Sequence, residues 1–138
     1  MALTSLNMRK NIEIASTTEN LRIVEKMIDE ISLEMNLSDE VYGNILVATM
    51  EATNNAIVHG NSADPEKKVT VNIVRQEKEL KISIKDEGKG FDYAHVPDPT
   101  APENLEKING RGIFLMSRLS DDISFTDNGR VVELKFRI

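Results

Sequence analysis

The chain is 138 residues long, 40% hydrophobic and 29% charged, which supports one globular domain with its own core and excludes a disordered tail. Seventeen Lys+Arg against twenty-three Asp+Glu give a formal net charge of −6, which argues against nucleic acid or an anionic membrane as a direct partner. With no cysteine, a disulfide scaffold, a thiolate zinc site and a cysteine nucleophile all drop out, and a reducing compartment fits.

The longest charge-free, apolar-leaning run, Val41 to Met50, is ten residues and contains Gly43 and Asn44, well short of the ~20 that span a bilayer. The opening residues, MALTSLNMRKN, show no apolar stretch ahead of their charges, so no signal peptide is expected. No repeat, linker or low-complexity segment marks a boundary. Residues 1–138 are therefore expected to form a single domain in the cytoplasm.

Residues 9–15 alternate polar and apolar through Ile12 and Ile14, the pattern of a short strand. Ser16, Thr17 and Thr18 offer N-caps. Leu21, Val24, Met27, Ile28, Ile31 and Met35 then recur at helical spacing, predicting an amphipathic helix over 17–35 with Asn36 as its stop. Ser38-Asp39-Glu40 caps a second helix. Its apolar positions Val41, Ile45, Ala48, Ala52, Ala56 and Ile57 run to Gly60. Its second half carries Glu51, Asn54, Asn55 and His59, where a plain core helix would put more aliphatics.

After the polar turn NSADPE, Val69, Val71 and Ile73 and then Leu80, Ile82 and Ile84 alternate with polar residues, two strands joined by a short hairpin over 76–79. Residues 86–91 end the second strand in a glycine-containing loop. Residues 92–109 hold Pro97, Pro99 and Pro102 and read as a long irregular segment, a length that ordinary loops seldom reach without a function. Gly110-Arg111-Gly112 leads into a short helix through Ile113, Phe114, Met116 and Leu119. Ile123 and Phe125 form a strand, Asp127-Asn128-Gly129 a turn, and Val132, Leu134, Phe136 and Ile138 the closing strand. This order predicts the α+β class: a two-layer α/β sandwich whose mixed, mostly antiparallel sheet carries helices on one face.

Three groups of residues could carry chemistry. Glu51 and Asn55, four apart, share one helix face; a carboxylate and an amide oxygen suit a magnesium ion and a hydroxyl proton. Asp86-Glu87-Gly88-Lys89-Gly90-Phe91 places a fixed acceptor, Asp86, ahead of two glycines that let backbone approach a flat ligand. Gly110-Arg111-Gly112 precedes a helix whose first amides could hold phosphate oxygens. Alone, each is also what an ordinary helix face or glycine turn looks like. His59 and His95 are expected to be solvated or structural.

Together, Glu51-x-x-x-Asn55-Ala56, Asp86-x-Gly88-x-Gly90-Phe91 and Gly110-x-Gly112 resemble the N, G1 and G2 boxes of the GHKL (Bergerat-fold, histidine-kinase-like) ATPases. Within that superfamily the chain is most similar to the anti-sigma-factor serine kinases of bacterial partner switching, through Met50-Glu-Ala-Thr-Asn-Asn-Ala-Ile-Val-His59-Gly and Gly110-Arg-Gly-Ile-Phe-Leu-Met116. The resemblance implies ATP and magnesium as cofactors. It makes Asn55 the metal ligand and Glu51 the general base, and gives the adenine amine to Asp86. Gly88 and Gly90 would shape the floor of the pocket. Gly110, Arg111 and Gly112 would close the phosphate end, and residues 92–109 would be the ATP lid. It further implies a protein serine/threonine kinase and anti-sigma factor that phosphorylates a STAS-type anti-anti-sigma antagonist, binds a sigma factor and forms a homodimer. The alternative is a module that binds nucleotide as a conformational ligand, or not at all, and only sequesters its partner.

Overall fold

A computed structural model describes residues 8–90 and 108–138, the side chains of 108–111 excepted. Strand β1 is Met8–Ala15, helix α1 Leu21–Met35, helix α2 Asp39–Asn55, strand β2 Lys68–Gln76 and strand β3 Glu79–Lys85. Helix α3, Ile108–Leu119, and strands β4, Asp122–Thr126, and β5, Val131–Arg137, complete it. Phe91, His95, the three prolines and Lys107 of the expected lid, and the Arg111 side chain, lie outside the described residues.

The five strands order as β1-β2-β3-β5-β4, antiparallel at every pairing. No parallel pair of the expected mixed sheet occurs among the described residues, for a topological reason. The connection through α3 does bring β4 back in the same direction as β3, but β5 slots between them. Register follows the alternation: Val71 faces Ile84, Ile84 faces Val132, and Ile82 faces Leu134, all on the core side. Asn72, Ser83 and Glu133 align across the opposite face, so one face is apolar and the other polar.

The helices cover the apolar face. Helix α2 is the central one, touching α1 and α3 on either side and β3 and β5 beneath. Ala48, Ala52 and Ala56 recur every four residues and are buried, so small side chains let the α2 backbone sit low on the sheet. Val24, Met27, Ile28 and Ile31 of α1 close the core on one side, and Ile113 and Met116 of α3 on the other. Tyr42 donates its hydroxyl proton to Asp29, tying α2 to α1.

Helix ends follow the expected chemistry with two differences. Ser38 Oγ accepts from the Val41 amide at 3.2 Å, and Asn36 closes α1 in the left-handed conformation at φ 51°. The segment expected to start α1, however, is a 3₁₀ turn at Thr18–Asn20, where the Asn20 amide donates to the Ala15 carbonyl at 2.9 Å instead of capping. The second difference is at α3, which already begins at Ile108.

Thr49 and Thr53 are both fully buried on α2. Thr53 Oγ1 donates to the Thr49 carbonyl at 2.7 Å, but Thr49 Oγ1 has no hydrogen-bond partner among the described residues. A buried hydroxyl without a partner costs about 1–3 kcal/mol, and valine has nearly the same shape. Thr49→Val is expected to stabilise the fold by about 1 kcal/mol, read as a melting temperature about 3 °C higher; an unchanged or lower melting temperature would contradict this.

Candidate functional site

Helix α2 does not stop at Asn55. Its last turn widens into a π-helix over Ala56–Gly60, in which the Asn61 amide reaches back to the Ala56 carbonyl at 2.9 Å and Ala63 to Ile57 at 2.8 Å. Wide turns of this kind recur where a helix must place a side chain or carbonyl off its regular path. The 3.6-residue periodicity of the sequence continues to Ile57 and gives no sign of it.

Glu51 and Asn55 sit one turn apart, both half-buried, and neither side chain forms a hydrogen bond or ion pair among the described residues. Gly112 lies against this face: a methyl group there would be 2.7 Å from Asn55 Nδ2 and 3.4 Å from Oδ1. Helix α3 starts at Ile108, so the tripeptide expected to precede the helix, Gly110-Arg111-Gly112, and the last two residues of the expected lid are helical. The physical reason is packing. At Gly112 the missing Cβ lets the start of α3 press against the Asn55 amide.

The second cluster surrounds Asp86. A methyl group on Gly60 would overlap the Asp86 carboxylate, and one on Gly88 would overlap the Gly60 carbonyl oxygen. The π turn and the loop after β3 thus meet backbone to backbone. Asp86 is 8% exposed and its Oδ1 accepts from the Gly88 amide at 2.8 Å. Burial pushes the Asp86 carboxyl above the usual carboxylate range; the Gly88 amide and the Arg130 and Lys67 cations pull the other way, and Asp127 adds to the rise. Among the described residues Oδ2 meets no hydrogen-bond donor.

Three residues that the sequence reading passed over hold this loop. Asn61, fully buried, donates Nδ2 to Ser16 Oγ at 2.8 Å and to the Lys68 carbonyl at 3.0 Å, and accepts at Oδ1 from the Glu87 amide at 2.7 Å. Glu87 accepts the Lys68 amide at 2.7 Å. Arg130 donates Nε to the Gly88 carbonyl at 2.8 Å and a terminal nitrogen to the Lys89 carbonyl at 3.3 Å. Gly90, at φ 80°, lies against the Asn128 carbonyl, which a methyl group would overlap. Asn61 and Arg130 stand in segments with no periodicity, so only their turn-like neighbours are visible in sequence.

Among the described residues no group of three or more His, Asp or Glu could hold a metal by itself. An uncommitted amide oxygen beside a glycine suits magnesium, which takes one or two protein oxygens and fills its shell with phosphate oxygens and water. The arrangement therefore offers a hard oxygen and a carboxylate on α2, and a buried acceptor with one open oxygen at the other end of the same helix run.

Residues 14–136 match the histidine kinase-like ATPase domain, and the chain belongs to that family. It is 26% identical over 121 residues to the anti-sigma F factor of Bacillus cytotoxicus, covering 86% of this chain and 82% of the relative. It is 28% identical over 116 residues to that of Oceanobacillus iheyensis, covering 82% and 79%. Its fold matches the structure of the RsbU and RsbW domains of a Mycobacterium tuberculosis protein at a TM-score of 0.68 and 16% identity, over 94% of this chain and 32% of that one. No helix among the described residues is long and apolar enough to cross a membrane.

The two glycine contacts separate experimentally. Gly88→Ala drives a methyl into backbone and is expected to cost about 1–3 kcal/mol. Gly112→Ala meets only the movable end of a side chain and gains helix propensity, up to about 1 kcal/mol, so its melting temperature should hold or rise. Equal losses in both variants would refute this account.

Asp86 predicts a pH effect. Its proton is held more tightly in the folded chain than in the unfolded one, so the folded state binds more protons between the ordinary and the raised values, and stability falls as pH rises through that window. Asp86→Asn is expected to lack this component and to be more stable than the parent at pH 7. Denaturant titrations of both proteins from pH 3 to 8 check it; parallel curves would show that Asp86 is not the group responsible.

Proposed function

We propose that residues 1–138 act as one ATP-binding domain, an ATP-dependent protein serine/threonine kinase that is also an anti-sigma factor. Its acceptor would be a serine of a STAS-type anti-anti-sigma protein and its second partner a sigma factor. The observation that carries the reading is the Asn55 amide against Gly112, without a hydrogen-bond partner among the described residues, with the Glu51 carboxylate one turn before it. Family membership and the anti-sigma F relatives support it. The site would work in the cytoplasm and as a homodimer joined through the helix-free side of the sheet.

In this reading Asp86 accepts a hydrogen bond from the adenine amine, with Gly88 and Gly90 giving the base access to backbone. Asn55 would hold the magnesium, which supplies charge neutralisation at the phosphates when bound. Gly110, Arg111 and Gly112 would close the phosphate end, and the expected lid, residues 92–109 less the two that belong to α3, would cover the nucleotide. Glu51 takes the proton of the attacking serine hydroxyl as the Oγ–phosphorus bond forms and the bond to the β,γ-bridging oxygen breaks. Positioning and electrostatics supply most of the rate in such transfers, so the free Asn55 amide should matter as much as the base.

The test is magnesium–ATP with a purified STAS-domain protein, read as phosphoserine by mass spectrometry and as ATP affinity by calorimetry. Glu51→Ala should keep ATP affinity and lose about 10²-fold or more in transfer, while Asn55→Ala should lose productive ATP binding. Unimpaired transfer in either variant removes that residue from its role. ATP binding without phosphoserine would replace the kinase by the sequestering module.

A further inference from the structure

Arg130 follows the β4–β5 turn, away from every residue of the three motifs, yet it touches the Asp86 loop at three peptide groups. Its backbone carbonyl accepts from the Asp86 amide at 2.9 Å. Its guanidinium donates to the Gly88 carbonyl at 2.8 Å and the Lys89 carbonyl at 3.3 Å. The same group is braced from behind by the Asp127 carbonyl at 3.2 Å and carboxylate at 3.5 Å. Gly88 is in turn the residue whose amide fixes Asp86 Oδ1. A chain of contacts therefore runs from the guanidinium through Gly88 to the carboxylate.

We propose that Arg130 is a positioning residue for base recognition: by gripping the Gly88 and Lys89 carbonyls it orients the Asp86 carboxylate toward the exocyclic amine of adenine. This rests on the nucleotide reading above. The planar fork of arginine reaches two neighbouring carbonyls at once, which a lysine ammonium does only loosely. Its charge also opposes the pull of burial on Asp86, alongside Lys67 and against Asp127, and so favours the ionised acceptor.

The test is a cycle between Arg130 and the adenine amine. ATP and purine riboside triphosphate, which lacks the 6-amino group, are titrated into the parent protein, Arg130→Met and Arg130→Lys, with circular dichroism confirming the fold. The expected result is ATP affinity about tenfold weaker in Arg130→Met, the size of one oriented hydrogen bond, with an intermediate loss in Arg130→Lys. The analogue, having no amine to recognise, should bind all three proteins within about twofold. Equal losses for both nucleotides would reduce Arg130 to a structural brace and overturn the proposal, as would unchanged ATP affinity. If Arg130→Met does not fold, Arg130→Lys alone decides by the same comparison. A parent protein that binds neither nucleotide would overturn the nucleotide reading and this inference with it, a result distinct from selective failure in the variants.

Discussion

The constraint on which the site depends is the approach of two backbones: the carbonyl of Gly60 and the α-carbon of Gly88 are too close for a side chain between them. A regular α-helix would carry Gly60 along a different path. The widened turn at 56–60 redirects the end of α2 onto the loop after β3, and the same few residues join the Glu51/Asn55 end of the site to the Asp86 end. One continuous helical run thereby serves both halves, and neither can shift far without the other.

Such an approach brings polar groups out of water, and the surrounding residues show how they are compensated. Asn61 satisfies three strands' worth of loose ends from one buried amide, reaching Ser16, Lys68 and Glu87. Each bond is modest in net terms, but an unmade one in this setting would cost more than a made one contributes. Asp86 is the exception left in place: among the described residues its Oδ1 is held and its Oδ2 is not, and burial works against its charge. A fold optimised only for stability would have an apolar or amide side chain here. A buried carboxyl with a raised pKa is the kind of group that marks a functional position.

Period and punctuation made most of the architecture readable. Ile12 and Ile14, Val69 to Ile73 and Leu80 to Ile84 alternate cleanly because one face of each strand is buried, and α1 repeats Val24, Met27, Ile28 and Ile31 at helical spacing for the same reason. Ser38 and Asn36 mark helix ends through local hydrogen bonding and backbone conformation that act within a few residues. What could not be read depends on contacts between distant segments. Gly112 looks like a helix breaker until Asn55 is beside it, and Arg130 looks like a solvated turn residue until Gly88 is. The motif residues themselves were visible as a set; the residues that orient them, Asn61 and Arg130, were not, because a tertiary hydrogen bond leaves no period in the chain.

The sheet order also has a bearing on the timing of biosynthesis. Strand β5 comes after β4 in the chain but lies between β3 and β4. As the polypeptide leaves the ribosome, β1, β2 and β3 can pair as they appear, since each neighbours the next. Strand β4 then emerges with nothing to pair with and must wait for the residues that follow it. The site loop waits too, because its contacts with Asn128 and Arg130 belong to that late hairpin. A nascent chain paused before Asn128 would hold an unpaired β3 edge and an unsupported Asp86 loop, the kind of exposed strand that chaperones engage. Nucleotide binding is in this sense the last property the chain acquires.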